Sequence, residues 1–204
     1  MTDARVLLIP GFNGSGPDHW QTLWEARRDD CRRVEQDDWH DPRPAIWAAR
    51  IDAAVREADG PLVVVAHSLG CAALAHWASE TPDAGQLVAA ALVVAPCDVE
   101  RPGAPECIAR FAPMPGSALP FRTTVVASSN DPFATAARAR CFSERWGAAL
   151  VEVGAQGHIN AASGLDDWRF GQVLLDELIA GAGRVGDYAK VAAMRDAAPW
   201  PCGG

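Results

Sequence analysis

The sequence predicts an α/β protein: a three-layer α/β/α sandwich around a central parallel sheet of about six strands. Three observations lead there. Short apolar runs rich in Val, Leu and Ile alternate with longer segments of helical periodicity. The central run, Leu62 to Val65, is apolar without a polar alternate, as in a strand buried on both faces of a parallel sheet. The breaks between elements are dense in Gly, Pro, Asp and Asn, and no internal repeat is seen. Alternating strands and helices favour parallel pairing with helices on both faces.

The elements follow in order. Arg5-Val-Leu-Leu-Ile9 reads as strand one, and Pro10 to Pro17 as a loop of turn formers. Pro17 sets up a helix over about Asp18 to Arg28, with Trp20, Leu23, Trp24 and Arg27 along one stripe. Cys31 to Gln36 is a short strand, Asp37 to Pro42 a loop, and Pro44 to Glu57 a helix with Trp47, Ile51, Ala54 and Val55 on one face. The strand at Leu62 runs directly into a small-residue helix beginning near Gly70. Leu87 to Val94 reads as a fourth strand, Phe121 to Ser128 as a fifth and Leu150 to Val153 as a sixth. Between the fourth and fifth, Pro96 to Pro120 holds six prolines in 25 residues and reads as an irregular, lid-like excursion. Helices are expected over Pro132 to Trp146 and Asp167 to Ala180. Residues 1–182 are expected to form one domain, and 183–204 a weakly ordered tail.

Bulk properties narrow the partners. The hydrophobic fraction of 49% and charged fraction of 22% are those of a soluble globular chain. A net charge of −8 speaks against nucleic acid and anionic membrane as partners. No apolar run approaches the ~20 residues of a membrane span. The polar start Met1-Thr-Asp-Ala-Arg-Val6 is not expected to be a signal peptide. The Cys residues at 31, 71, 97, 107, 141 and 202 contain no C-x-x-C pair, so free thiols in a reducing cytoplasm are expected, and no metal site.

Chemistry should gather where parallel strands end. Ala66-His-Ser-Leu-Gly70 has the form of a nucleophile elbow, in which a strand-to-helix turn lifts a serine above the sheet. Small residues two before and two after Ser68 allow strand and helix to approach. Asp131 follows the fifth strand and His158 the sixth. A serine hydroxyl needs a base, which His158 would supply, and Asp131 would hold the imidazole in the productive tautomer. A tetrahedral oxyanion needs fixed donors: the backbone N–H of Leu69, and that of Phe12 or Asn13 in the glycine-flanked loop after strand one. Asp98, after strand four, is the alternative acid, and Asp131 could instead cap a following helix. His67 is expected to be structural, His76 packed or solvated, and His19 and His40 at the surface. Eight Trp are expected chiefly in the core, with Trp39 the one beside a pocket. Phe111, Met114, Leu119, Phe133 and Phe12 are expected to shape a shallow acyl pocket.

The chain resembles the small serine hydrolases of the retinoblastoma-binding-protein and YdeN-type group, a compact branch of the α/β-hydrolases. The matching residues are Pro10-Gly-Phe12, His19-Trp20, Gln36-Asp-Asp-Trp39, Ala66-His-Ser-Leu-Gly70, Ser129-Asn-Asp-Pro132 and Gly157-His-Ile-Asn160. They span about residues 5 to 180 and leave out the tail. The resemblance implies a nucleophile, acid and base at Ser68, Asp131 and His158. It also implies a sheet shortened at its N-terminal edge and a second oxyanion donor from the strand-one loop. It leads to the expectation of a cytoplasmic serine hydrolase acting on a small-molecule acyl substrate (an ester, with thioester and amide as alternatives) without metal or organic cofactor. An interaction protein with a vestigial site and a cofactor-free perhydrolase are the other readings, and the oligomeric state is not indicated.

Overall fold

The computed structural model describes residues 5–58, 60 and 62–182. Six strands, β1 (Arg5–Ile9), β2 (Cys31–Arg33), β3 (Leu62–His67), β4 (Ala90–Val94), β5 (Arg122–Ala127) and β6 (Ala149–Glu152), form one sheet in the order β2-β1-β3-β4-β5-β6. Every pairing is parallel. The order reverses at β1, so the chain winds outward first to one edge and then to the other.

Strand periodicity divides the core into two halves. Val6, Leu8, Val63 and Val65 face one side, where α1 (Trp20–Arg27) and α7 (Arg169–Ala182) pack. Leu7, Ile9, Val64 and Ala66 face the other, covered by α2 (Pro44–Arg56), α3 (Leu69–Glu80) and α6 (Ala136–Arg145). Both faces of β3 are buried throughout, which explains its unbroken apolar run. Of the eight Trp, Trp20, Trp24, Trp47, Trp77 and Trp146 are fully buried, and Trp168 nearly so. They fill the space between helices and sheet, as expected of them.

Several boundaries differ from the sequence reading, and the second strand ends at Arg33, short of the expected Gln36. Ala84–Leu87 is a helical turn, α4, and strand pairing begins only at Ala90. Leu87 belongs to that turn, which the Val88 amide closes on the Ala84 carbonyl at 2.9 Å, and apolar content alone cannot separate the two. The helix expected from Pro132 begins at Ala136, capped by the Thr135 hydroxyl on the Arg138 amide, because Asp131 is engaged elsewhere. The proline-rich excursion contains a helical turn, α5 (Glu106–Ala109). It is tacked down at several points: His76 Nε2–H donates to the Phe111 carbonyl at 2.8 Å, Trp146 Nε1–H to that of Pro115 at 2.9 Å, and the Leu119 amide to that of Trp146 at 3.1 Å. The expected tail at 183–204 lies outside the described residues. No helix among the described residues is long and apolar enough to cross a membrane.

Candidate active site

β3 delivers Ser68 into a turn with φ 55° and ψ −121°. A non-glycine residue there carries on the order of 1–3 kcal/mol of strain and persists only where its surroundings enforce it. The enforcement is visible. The Ser68 amide donates to the Val94 carbonyl at 3.0 Å, and its own carbonyl accepts from Cys71 at 3.0 Å. On the helix side, a Cβ on Gly70 would overlap the Ile9 carbonyl oxygen and lie 2.6 Å from that of Pro10. Only a glycine lets α3 start this close to the end of β1.

His158 reaches the same point from the far side of the sheet. The loop after β6 is held to the loop after β5: the Gly157 amide donates to Asn130 Oδ1 at 2.7 Å, and the Gln156 amide to Ser128 Oγ at 2.9 Å. Trp20 Nε1–H donates to the Ile159 carbonyl at 2.7 Å, which fixes a residue whose φ is 47°. His67 Nε2–H donates to the carbonyl of His158 itself at 3.0 Å. Burial holds His67 well below the usual histidine pKa, so this prop is neutral.

The side chains then form one continuous chain. His158 Nδ1 lies 2.8 and 3.0 Å from the two Asp131 carboxylate oxygens, and its Nε2 lies 2.7 Å from Ser68 Oγ. A carboxylate only accepts, so the ring proton sits on Nδ1, leaving Nε2 to accept the serine hydroxyl proton. The His158 and Asp131 side chains are only 7% and 4% exposed, so few waters compete for these bonds. Asp131 Oδ1 also accepts from the Phe133 amide at 2.8 Å. That second bond orients the carboxylate, and it is why Asp131 caps no helix. Asp98, the alternative acid, is held instead by Arg138, with Nε 3.2 Å from its Oδ1.

Two backbone amides are free beside Ser68. Leu69 is the first residue of α3, where an amide has no intrahelical partner. Among the described residues neither its N–H nor that of Phe12 has an acceptor. The strand-one loop lies against the elbow, since a Cβ on Gly11 would stand 2.8 Å from Ser68 Cβ and 3.2 Å from the Leu69 nitrogen. Asn13 is corrected here: its amide donates to the Trp39 carbonyl at 3.0 Å and is unavailable to a substrate. Its side chain meets His40 Nδ1 at 2.9 Å. Of the two amides, only that of Phe12 is left without an acceptor among the described residues.

The model for serine hydrolases matches residues 6–177. The chain belongs to that family. Similar solved structures agree with this assignment. A YdeN-like hydrolase from Pectobacterium atrosepticum is 26% identical, with 93% of this chain and 92% of that one covered at a TM-score of 0.72. The ydeN gene product of B. subtilis is 19% identical over 87% of this chain and 99% of that one, with a TM-score of 0.70. Alpha/beta hydrolase domain-containing protein 10 from mouse, 13% identical over 88% and 90%, shares the fold at a TM-score of 0.65. No curated protein sequence matches the chain. The chain is thus a serine hydrolase with the α/β-hydrolase fold, similar to the YdeN-like hydrolases.

The pocket of this serine hydrolase differs from the sequence expectation. Phe111 is fully buried, edge-on to Trp47 and to His76. Met114 and Leu119 are 4% and 6% exposed and belong to the same core. The tacked-down excursion turns these three inward, so they present no open acyl-binding surface. Phe133 is 37% exposed and lies edge-on to His158 with ring centroids 4.5 Å apart. Phe12 is half-buried beside the elbow loop. Trp39 is half-buried, packed edge-on to Trp47 and against Gly14, and supports that loop through its carbonyl.

His19 is a second correction. It is buried, 5% exposed, and its ring stands 4.7 Å from that of His67, which is 4.9 Å from that of His158. Nδ1 accepts from the Gln21 amide at 3.2 Å and so caps α1. Burial, then the charges of Arg33 and His158, lower its pKa to about 4. His is not among the usual N-cap residues, so only its place before the Trp20 stripe could have signalled this role.

Proposed function

We propose that the protein hydrolyses carboxylic esters through an acyl-enzyme. The observation that carries this reading is the unbroken hydrogen-bonded chain from Asp131 through His158 to the hydroxyl of Ser68 on its strained turn. Ser68 Oγ attacks the acyl carbon as His158 Nε2 takes its proton. Asp131 holds the ring and stabilises the imidazolium. The amides of Leu69 and Phe12 receive the oxyanion, replacing water with fixed dipoles. As the tetrahedral intermediate collapses, the ester C–O bond breaks and the departing alkoxide takes the proton from His158. A water then gives a proton to His158 and attacks the acyl carbon. The returning proton restores Ser68 and the acid is released.

The substrate is taken to be a small acyl compound, with thioesters and amides as alternatives to the ester. Among the described residues Cys31, Cys71, Cys97 and Cys107 are free thiols, which supports a reducing, cytoplasmic setting. The test is turnover of 4-nitrophenyl butyrate by wild type and Ser68→Ala. Steady hydrolysis by the wild type, abolished in the folded variant, is the expected result.

A further inference from the structure

Arg101 lies between β4 and α5, in the stretch that borders the site. Its guanidinium carbon stands 5.4 Å from the centroid of the Phe133 ring, the ring that packs edge-on to His158. The backbone fixes this arrangement, because the Asp98 amide donates to the Phe133 carbonyl at 2.9 Å and the Phe133 amide to Asp131. Phe133 therefore links a cation to the imidazole beside Ser68 by two ring contacts.

Arg101 is also unsatisfied. The acids nearest it in sequence, Asp98 and Glu100, are both held by Arg138. Arg28, Arg33, Arg56 and Arg110 each hold a carboxylate as well. Among the described residues Arg101 makes no ion pair, its buried Nε has no acceptor, and none is found for its terminal nitrogens. The buried Nε without an acceptor carries a desolvation cost that an anion would offset, and a carboxylate fits the guanidinium fork in a bidentate manner. The chain as a whole carries −8 and repels anions at long range. An open positive group beside the site is therefore a local exception.

We infer that Arg101 is a specificity determinant that receives a carboxylate at the end of the substrate remote from the scissile bond, so that the preferred substrates are half-esters of dicarboxylic acids. The exposed Phe133 ring would carry the methylenes between the two ends. This inference rests on the ester-hydrolase reading and adds the substrate class to it.

The test compares mono-4-nitrophenyl adipate with methyl 4-nitrophenyl adipate, which has the same length and no charge, with the uncatalysed rate subtracted. Wild type should favour the charged ester in kcat/KM by roughly tenfold to a hundredfold, chiefly through KM, the range a charge-assisted hydrogen-bonded pair supplies. Arg101→Gln should lose that preference while hydrolysing the neutral ester as wild type does, and Arg101→Lys should recover part of it. The wild-type comparison stands even if a variant folds poorly. Equal wild-type rates on the two esters would overturn the role of Arg101 and leave the hydrolase reading intact. Turnover of neither ester, with Ser68 also unreactive toward a fluorophosphonate, would remove both.

Discussion

Gly11 and Ser68 are in direct apposition: a Cβ added to Gly11 would lie 2.8 Å from the Cβ of Ser68 and 3.0 Å from the His67 carbonyl oxygen. The glycine is required by that approach and not by its backbone angles. The left-handed residues of the loop are Asn13 and Gly14. The apposition brings the strand-one loop, whose Phe12 amide has no acceptor among the described residues, against the elbow.

Substitution of Gly11 by Ala or Val should therefore push the strand-one loop off the elbow. Loss of one oxyanion donor lowers kcat by roughly 10²–10³. The expected result on 4-nitrophenyl butyrate is a fall of that size in kcat with a smaller change in KM. Full activity in Gly11→Val would show that Phe12 is not a donor.

Gly70→Ala tests the other side of the elbow. Its new methyl would strike the backbone carbonyls of Ile9 and Pro10, which no side-chain rotation relieves. Overpacking of this kind costs about 1–3 kcal/mol. With about 2–4 °C per kcal/mol in a domain of this size, Tm should fall by several degrees. An unchanged Tm would show that β1 and α3 can separate freely.

Asp131→Asn should leave the fold in place, because the amide oxygen can still accept from Phe133. It should reduce kcat by up to about 10⁴, since it no longer holds His158 in the tautomer that accepts the serine proton. Asp98→Asn should be nearly inert, as its carboxylate is held by Arg138 away from the His158 ring. The reverse pattern in a kcat comparison would reassign the acid.

These residues also mark what could be read in advance. The parallel sheet, both helical layers and the Ser68, His158 and Asp131 positions were legible because each depends on local pattern: a buried β-branched strand, or a polar residue just past a strand end. What long-range contact decides was not legible. Asp131-Pro132 has the form of a helix start, yet the carboxylate is taken by His158 and Phe133. Phe111, Met114 and Leu119 have the composition of a pocket, but bonds from His76 and Trp146 turn that segment into the core. The amide of Asn13 could be removed from the donor list only by seeing the Trp39 carbonyl beside it. His19 reads as a surface residue until the folded chain packs it edge-on to His67.

His19 also predicts a stability profile. Its folded pKa, about 4, lies below the 6.5 of an unfolded imidazole. Above pH 6.5 both states are neutral and the group has no effect. As pH falls from 6.5 toward 4 the unfolded chain takes the proton first, so stability is lost across that window and the loss levels off below it. The amount is on the order of 3 kcal/mol, with buried His67 adding in the same direction. Urea unfolding at pH 7.5 and 5 should show the drop. His19→Asn, which keeps a side-chain acceptor for the helix cap, should make it smaller, leaving the part due to His67. Equal slopes in the two proteins would contradict a buried neutral His19.

The central claim is that Ser68 is the activated nucleophile. Brief exposure to a fluorophosphonate at neutral pH, followed by peptide mass mapping, tests it without knowledge of the substrate. The account predicts one adduct, on Ser68, formed in the wild type, greatly slowed in His158→Ala and absent in Ser68→Ala. Labelling that persists unchanged in Ser68→Ala, or a folded wild type that takes no label, would contradict it.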